Sequence, residues 1–236
     1  MDERNLGEVW TNVLHTQPDP PRWLVLAAAV AALVLIIPHG LWRISRNVVT
    51  IAHESGHAAA AVLSGRRLTG IRLHSDTSGV TVSRGKPYGP GMVVTGAAGY
   101  ITPSLLGLLG AALLTAGHIT ALLWFAVVGL AALLLMIRNV YGVVSVLVTG
   151  GIAFVVSWFG TPGVQAGCAY LFTWFLLVGG VRPVVELQRL RRRGQAPTSD
   201  ADQLARLTRI HPLFWVALFG FVGVACLLLG GRWLLG

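Results

Sequence analysis

"TIAHESGHAAAAV", residues 50–62, sets two histidines and a glutamate inside a run that otherwise reads as an apolar, alanine-rich helix. Positions four apart share a helix face, so His53 and His57 point the same way with Glu54 beside them. Two imidazoles so placed can share one metal ion, with zinc the natural occupant, and the carboxylate between them can take a proton from a coordinated water. At this chain's composition the HExxH spacing arises by accident on the order of a few times in a thousand. An ionisable side chain within a bilayer costs about 3 kcal/mol or more, so accident is the poorer account of these three residues.

The flanking sequence explains why the bilayer enters. The chain has 236 residues, 54% hydrophobic and 11% charged, and the apolar share comes in long blocks at 24–37, 92–115, 119–137, 140–159, 165–181 and 212–230. The later five are each about long enough to cross a hydrocarbon core of roughly 30 Å, and the first leans on its flanks Trp23 and Trp42. Residues 47–63, which carry the motif, make a seventh candidate. The expectation is an all-α polytopic membrane protein of about six to seven transmembrane helices, forming a single membrane-embedded domain over residues 1–236. The polar N-terminal segment 1–22 carries acids and no basic n-region, so block 24–37 reads as a retained span and not as a signal peptide. Cys168 and Cys226 fall inside spans, where they suit packing better than a disulfide or a thiolate site.

A net charge of +9 on such a chain is first a topology signal. If the basic loop 183–210 is cytoplasmic, alternation through seven spans leaves only Arg43, Arg46 and Arg232 of the 18 basic residues outside, with the N-terminus inside. The run Arg189 to Arg193 has no interleaved aromatic residues, which argues against nucleic acid and for contact with anionic headgroups. Between the motif helix and the next span, residues 66–90 are polar, glycine-rich and alternating over Ile71 to Val82. They read as a short β-hairpin insert turning near Asp76 to Gly79, which must sit at the interface or in a protein-lined cavity. Gly96, Ala97, Ala98, Gly99, Gly107 and Gly110 put small residues along the following span and the motif helix offers Gly56 and Ala58 to Ala61, so these two helices are expected to pack together. Small-residue faces serve dimerisation equally well, which leaves the oligomeric state open. Pro103 in "GAAGYITPSLLG" either kinks that span or frees carbonyls into a cavity.

Motif helix, hairpin and a glycine-rich span with a proline together resemble the site-2 protease family of intramembrane zinc metalloproteases, most nearly its small bacterial, peptidase M50B-like branch. The likeness is specific at His53 to His57, extends through "GAAGYITPS", which is similar to a Gly-x-x-Asn-Pro pattern, and covers roughly residues 47–145. It implies a multi-pass protein of the bacterial plasma membrane that binds Zn2+ and cleaves membrane-tethered protein substrates, with His53 and His57 as metal ligands and Glu54 as the catalytic base. The family's third ligand is an aspartate in a later span, and here "RNVYG", residues 138–142, puts Tyr141 in that place. A phenol is a poor ligand beside carboxylate or imidazole. Asp200, Asp202, Asp76, His74, His118 and His211 are the substitutes on offer, and "SDA..L...T" from Ser199 resembles a recurrent segment of the branch, which favours Asp200. Against it, Ser199 with Asp202, or Asp200 with Gln203, also fits a helix capping box. Two rivals stand beside the peptidase: an inactive membrane scaffold, for which Tyr141 speaks and Glu54 does not, and a transporter, which would spread polar residues over several spans.

Overall fold

The computed structural model describes residues 7, 11 and 13–236, so the first part of the polar N-terminal segment lies largely outside the described residues. From Arg22 on, eight helices and one hairpin follow in order among the described residues: α1 (Arg22–Ile36), α2 (His39–Leu63), β1 (Arg67–Leu73), β2 (Gly79–Arg84), α3 (Pro90–Thr115), α4 (Ile119–Leu134), α5 (Val140–Phe159), α6 (Pro162–Arg192), α7 (Asp200–Thr208) and α8 (Pro212–Leu235). Proline starts α3, α6 and α8, where its fixed φ suits the first turn and its missing N–H has no intrahelical partner to lose.

Four of these helices, α3, α5, α6 and α8, are long and apolar enough to cross a membrane, and α1 with α2 makes a fifth if the pair is taken as one broken span. By length and composition these spans do not confirm the expected six to seven crossings, and two features bear on the count. Pro38 cannot continue a helix, and α1 and α2 meet at 106° around it, so the first apolar block and the motif segment form a broken span or a re-entrant pair and not two straight spans. α4 stops after 16 residues because the chain then turns to pair with the hairpin: Ile71 N–H donates to Met136 O and Arg138 N–H to Ile71 O, both at 2.8 Å. Residues 135–137, read from hydropathy as the end of a span, are thus a short parallel bridge alongside β1.

The hairpin itself is antiparallel, with Ile71 opposite Thr81 and Leu73 opposite Gly79. Ile71 and Leu73 turn inward onto Ile51 and Ala58 of α2, which seats the hairpin on the motif helix. A second cluster of Leu187, Ala201, Leu204, Trp215 and Phe219 clamps α7 between α6 and α8. The main core lies between α1, α3, α4 and α6, where Gly107 and Gly110 of α3 meet Leu177 and Thr173 of α6. Pro103 is buried within an uninterrupted α3.

These contacts sort the loops onto two ends of the bundle. The hairpin, residues 135–139 and residues 193–211 gather at the end where α3 begins. At the other end, about 39 Å away along α3, Gln17 N–H donates to Gly117 O and Thr120 N–H to Gln17 Oε1. Residues 17–21 and the hairpin are therefore at opposite ends, whereas seven alternating spans would have put them on one side.

Candidate metal centre

α2 presents His53 and His57 one turn apart, and their Nε2 atoms lie 3.1 Å from each other. Across from them, Asp200 at the first position of α7 sets Oδ2 at 3.2 Å from His53 Nε2 and 3.3 Å from His57 Nε2. Donors held at about 2.0–2.1 Å from a tetrahedral zinc stand about 3.3 Å apart, so three edges of 3.1, 3.2 and 3.3 Å fit such an ion. Among the described residues these three form the one group of His, Cys, Asp and Glu close enough to hold a metal.

The surroundings fix each donor. His57 Nδ1–H donates to Thr95 O at 2.7 Å, which turns Nε2 toward Asp200. The His53 ring stands edge-on to Tyr100, with centroids 4.8 Å apart, and Tyr100 in turn stacks on Phe219 at 5.1 Å. Gly99 of α3 passes so close that a Cβ there would overlap Nε2 of both histidines, so glycine keeps the donor face clear. Burial alone would raise the Asp200 carboxyl, but hydrogen bonds with His53 and His57 outweigh it and hold the group below the usual carboxylate range.

Glu54 is 3% exposed and faces the hairpin. Thr81 Oγ1–H donates to Glu54 Oε2 at 2.6 Å, and Gly79 leaves the only room Oε1 has on that side, since a Cβ there would come within 2.5 Å of it. A polar cavity of about 320 Å³ opens onto His53 and Glu54 and carries Arg46, Thr50, Ser78 and Ser199 in its wall.

The other candidate ligands are engaged elsewhere. Tyr141, in the place of the family's aspartate, accepts from Asn47 Nδ2 at 2.8 Å and packs on the hairpin cluster. Its neighbour Asn139 bridges Leu73 N–H and Leu73 O and so acts as a strand partner for β1. Asp202 accepts the Ser199 hydroxyl at 2.5 Å and pairs with Arg191 at 3.1 Å. Asp76 and His74 bind Ser78 within the hairpin turn, His118 precedes α4, and His211 Nδ1 accepts Leu213 N–H at the start of α8.

Thr81, Thr95 and Tyr100 are the site residues that reading the sequence missed. Thr81 was within reach, since the hairpin's alternation puts it on the inward face with Ile71 opposite. Thr95 and Tyr100 flank Gly99 on the face of α3 expected to meet the motif helix, and that was their one signal.

No curated protein and no solved structure matches the chain. The family described as Peptidase M50B-like matches it from residue 26 to residue 230, from α1 to the last turns of α8, taking in the HExxH helix, the hairpin and Asp200 alike. The chain therefore belongs to the Peptidase M50B-like family.

Proposed function

We propose that this protein is a zinc-dependent endopeptidase that hydrolyses peptide bonds of membrane-tethered protein segments within or beside the bilayer. The observation that carries the reading is the meeting of Asp200 with the two histidines of an HExxH helix at tetrahedral spacing, in a chain of a peptidase family. His53, His57 and Asp200 would hold the ion, which when bound supplies Lewis acidity toward the scissile carbonyl and makes a water acidic enough to attack near neutral pH.

The chain's own groups supply the rest. Glu54 takes the proton of the attacking water and passes it to the departing amine nitrogen. Thr81 holds one carboxylate oxygen, so the other is left for that transfer. Thr95 keeps His57 in the tautomer that offers Nε2. The polar wall of Arg46, Thr50, Ser78 and Ser199 lets water reach a site that apolar helices surround. The outer edge of β2 has no strand partner among the described residues, and an extended substrate can pair with it. The basic end of the molecule, with the hairpin and residues 193–211, faces the cytoplasm in this reading.

The scaffold alternative leaned on Tyr141. With Asp200 beside the histidines, Tyr141 no longer marks a missing ligand, and a scaffold has no use for a buried general base. Elemental analysis of the purified protein tests the proposal. About one zinc per chain is expected, lost in His53→Ala, His57→Ala and Asp200→Ala and kept in Asp202→Ala and Tyr141→Ala. Wild-type protein free of metal after zinc supplementation would overturn it.

A further inference from the structure

The outer side of α6 carries a concave surface separate from the metal centre. A groove of about 430 Å³ runs between the end of α1, α6 and α8, floored by Val178, Val181 and Val185 and walled by Ile37 and Leu227. From Val178 to Arg189 it follows about 16 Å of helix. Ile37 is 68% and Val185 45% exposed, so the groove is open to whatever surrounds the bundle. Its apolar floor gives way to charge where the apolar block of α6 ends, and Arg189 lines both this groove and an adjoining one of about 300 Å³ that holds Gln188 and Arg192.

The charges there do not balance. Glu186 is the one carboxylate lining either groove, and it is already taken by Arg182 at 2.9 Å, Arg46 at 3.5 Å and the Trp42 indole N–H at 2.8 Å. Arg182 also donates to Ile37 O at 3.1 Å, and Arg191 is paired with Asp202. Arg189 and Arg192 are exposed and have no hydrogen-bond or ion-pair partner among the described residues. A basic last turn suits the dipole of α6, but the dipole does not call for an apolar channel running back along the helix.

We propose that this groove seats one anionic phospholipid of the surrounding bilayer, its phosphate between Arg189 and Arg192 and one acyl chain along Val178, Val181 and Val185. Guanidinium groups bind phosphate oxygens in pairs, and basic pockets between transmembrane helices are places where acidic headgroups collect. A free anion would use the arginines and leave the groove idle, while a zwitterionic lipid would fill the groove and leave two cations unmatched. The proposal does not depend on the protein being a peptidase.

The test is native mass spectrometry of delipidated protein titrated with phosphatidylglycerol, phosphatidylcholine or inorganic phosphate. One phosphatidylglycerol per chain is expected to bind in preference to phosphatidylcholine, with inorganic phosphate unable to displace it. Arg189→Ala and Arg192→Ala should each weaken it about fivefold. Val181→Trp, which fills the channel and spares both arginines, should also weaken it, whereas Arg84→Ala on the hairpin should not. Equal binding of the two lipids, or wild-type affinity in both arginine variants, would overturn the proposal. Displacement by inorganic phosphate with Val181→Trp unaffected would reassign the arginines to a soluble anion.

Discussion

Glu54 carries the chemistry of the proposed reaction, and its surroundings make its role separable from metal binding. The carboxylate is buried, bonded through Oε2 to Thr81 and hemmed at Oε1 by Gly79. Glu54→Gln keeps the shape and removes the base, so cleavage should fall about 10²- to 10⁴-fold with zinc content unchanged; a glutamine variant that still cleaves at the wild-type rate would remove Glu54 from the mechanism. Thr81→Val should lower the turnover number about tenfold by leaving a buried carboxylate oxygen unpaired, and Thr81→Ser should restore it. Gly99→Ala bears on the other half of the site. Its methyl would occupy the space in front of both ring nitrogens, and we expect a folded protein with well under half the wild-type zinc, read by elemental analysis beside its elution profile. The sequence made His53, Glu54 and His57 legible because their relation is local, one turn of one helix. The partners of Thr81 and Thr95 were not legible, although the inward face of the hairpin and the small-residue face of α3 were, because each meets its partner across 27 and 38 residues, where spacing carries no signal.

At the scale of elements, the decisive piece is α7, a helix of nine residues that lies off the membrane-spanning set. Capping and metal binding are competing readings of its first acids in the sequence, and in the structure the two acids have different partners. Asp202 closes the box with Ser199 and ties the helix to Arg191 of α6, while Asp200, on the neighbouring face, is left to meet the histidines. Leu204 and Ala201, both fully buried, fix the helix against α3 and α8. The cap is therefore part of what aims Asp200. Ser199→Ala should cost about 1 kcal/mol of stability, read as a lower unfolding midpoint. It should also speed the transfer of zinc to a competing chelator, although Ser199 touches no metal. Unchanged transfer together with the lost stability would make the cap a stabilising device only. The hairpin was readable as an element from its alternation and turn residues, but its seat was not. That seat depends on the early end of α4 and on Asn139 bridging to Leu73, both long-range pairings that hydropathy reads as more membrane span.

For the whole molecule, hydropathy identified a multi-pass helical protein but could not place the bend between its first two apolar segments, because a 15-residue apolar helix and a 25-residue motif helix look like two spans until the angle between them is known. That angle changes the arrangement of the ends. α1 rises from the end of the bundle that holds Gly117, and its last residues reach Arg182 of α6, whose guanidinium binds Ile37 O. α2 then slants on from that level, past Val49 against Gly179 and Gly56 against Thr102, to finish with Ser64 beside Gly91 at the start of α3. The two helices together carry the chain from one end of the bundle at residue 21 to the hairpin at the other. Residues just before α1 and the hairpin should therefore face opposite compartments, and the hairpin should share its side with residues 193–211. Cysteine labelling reads this directly. In a protein with Cys168 and Cys226 replaced by alanine, Asp19→Cys should react with a membrane-impermeant maleimide from one side only. Arg72→Cys and Gln195→Cys should react only from the other. Labelling of Asp19→Cys and Arg72→Cys from the same side would mean that α1 and α2 each cross completely, and the His53, His57 and Asp200 cluster would then have to form in a bundle with one more passage than this fold contains.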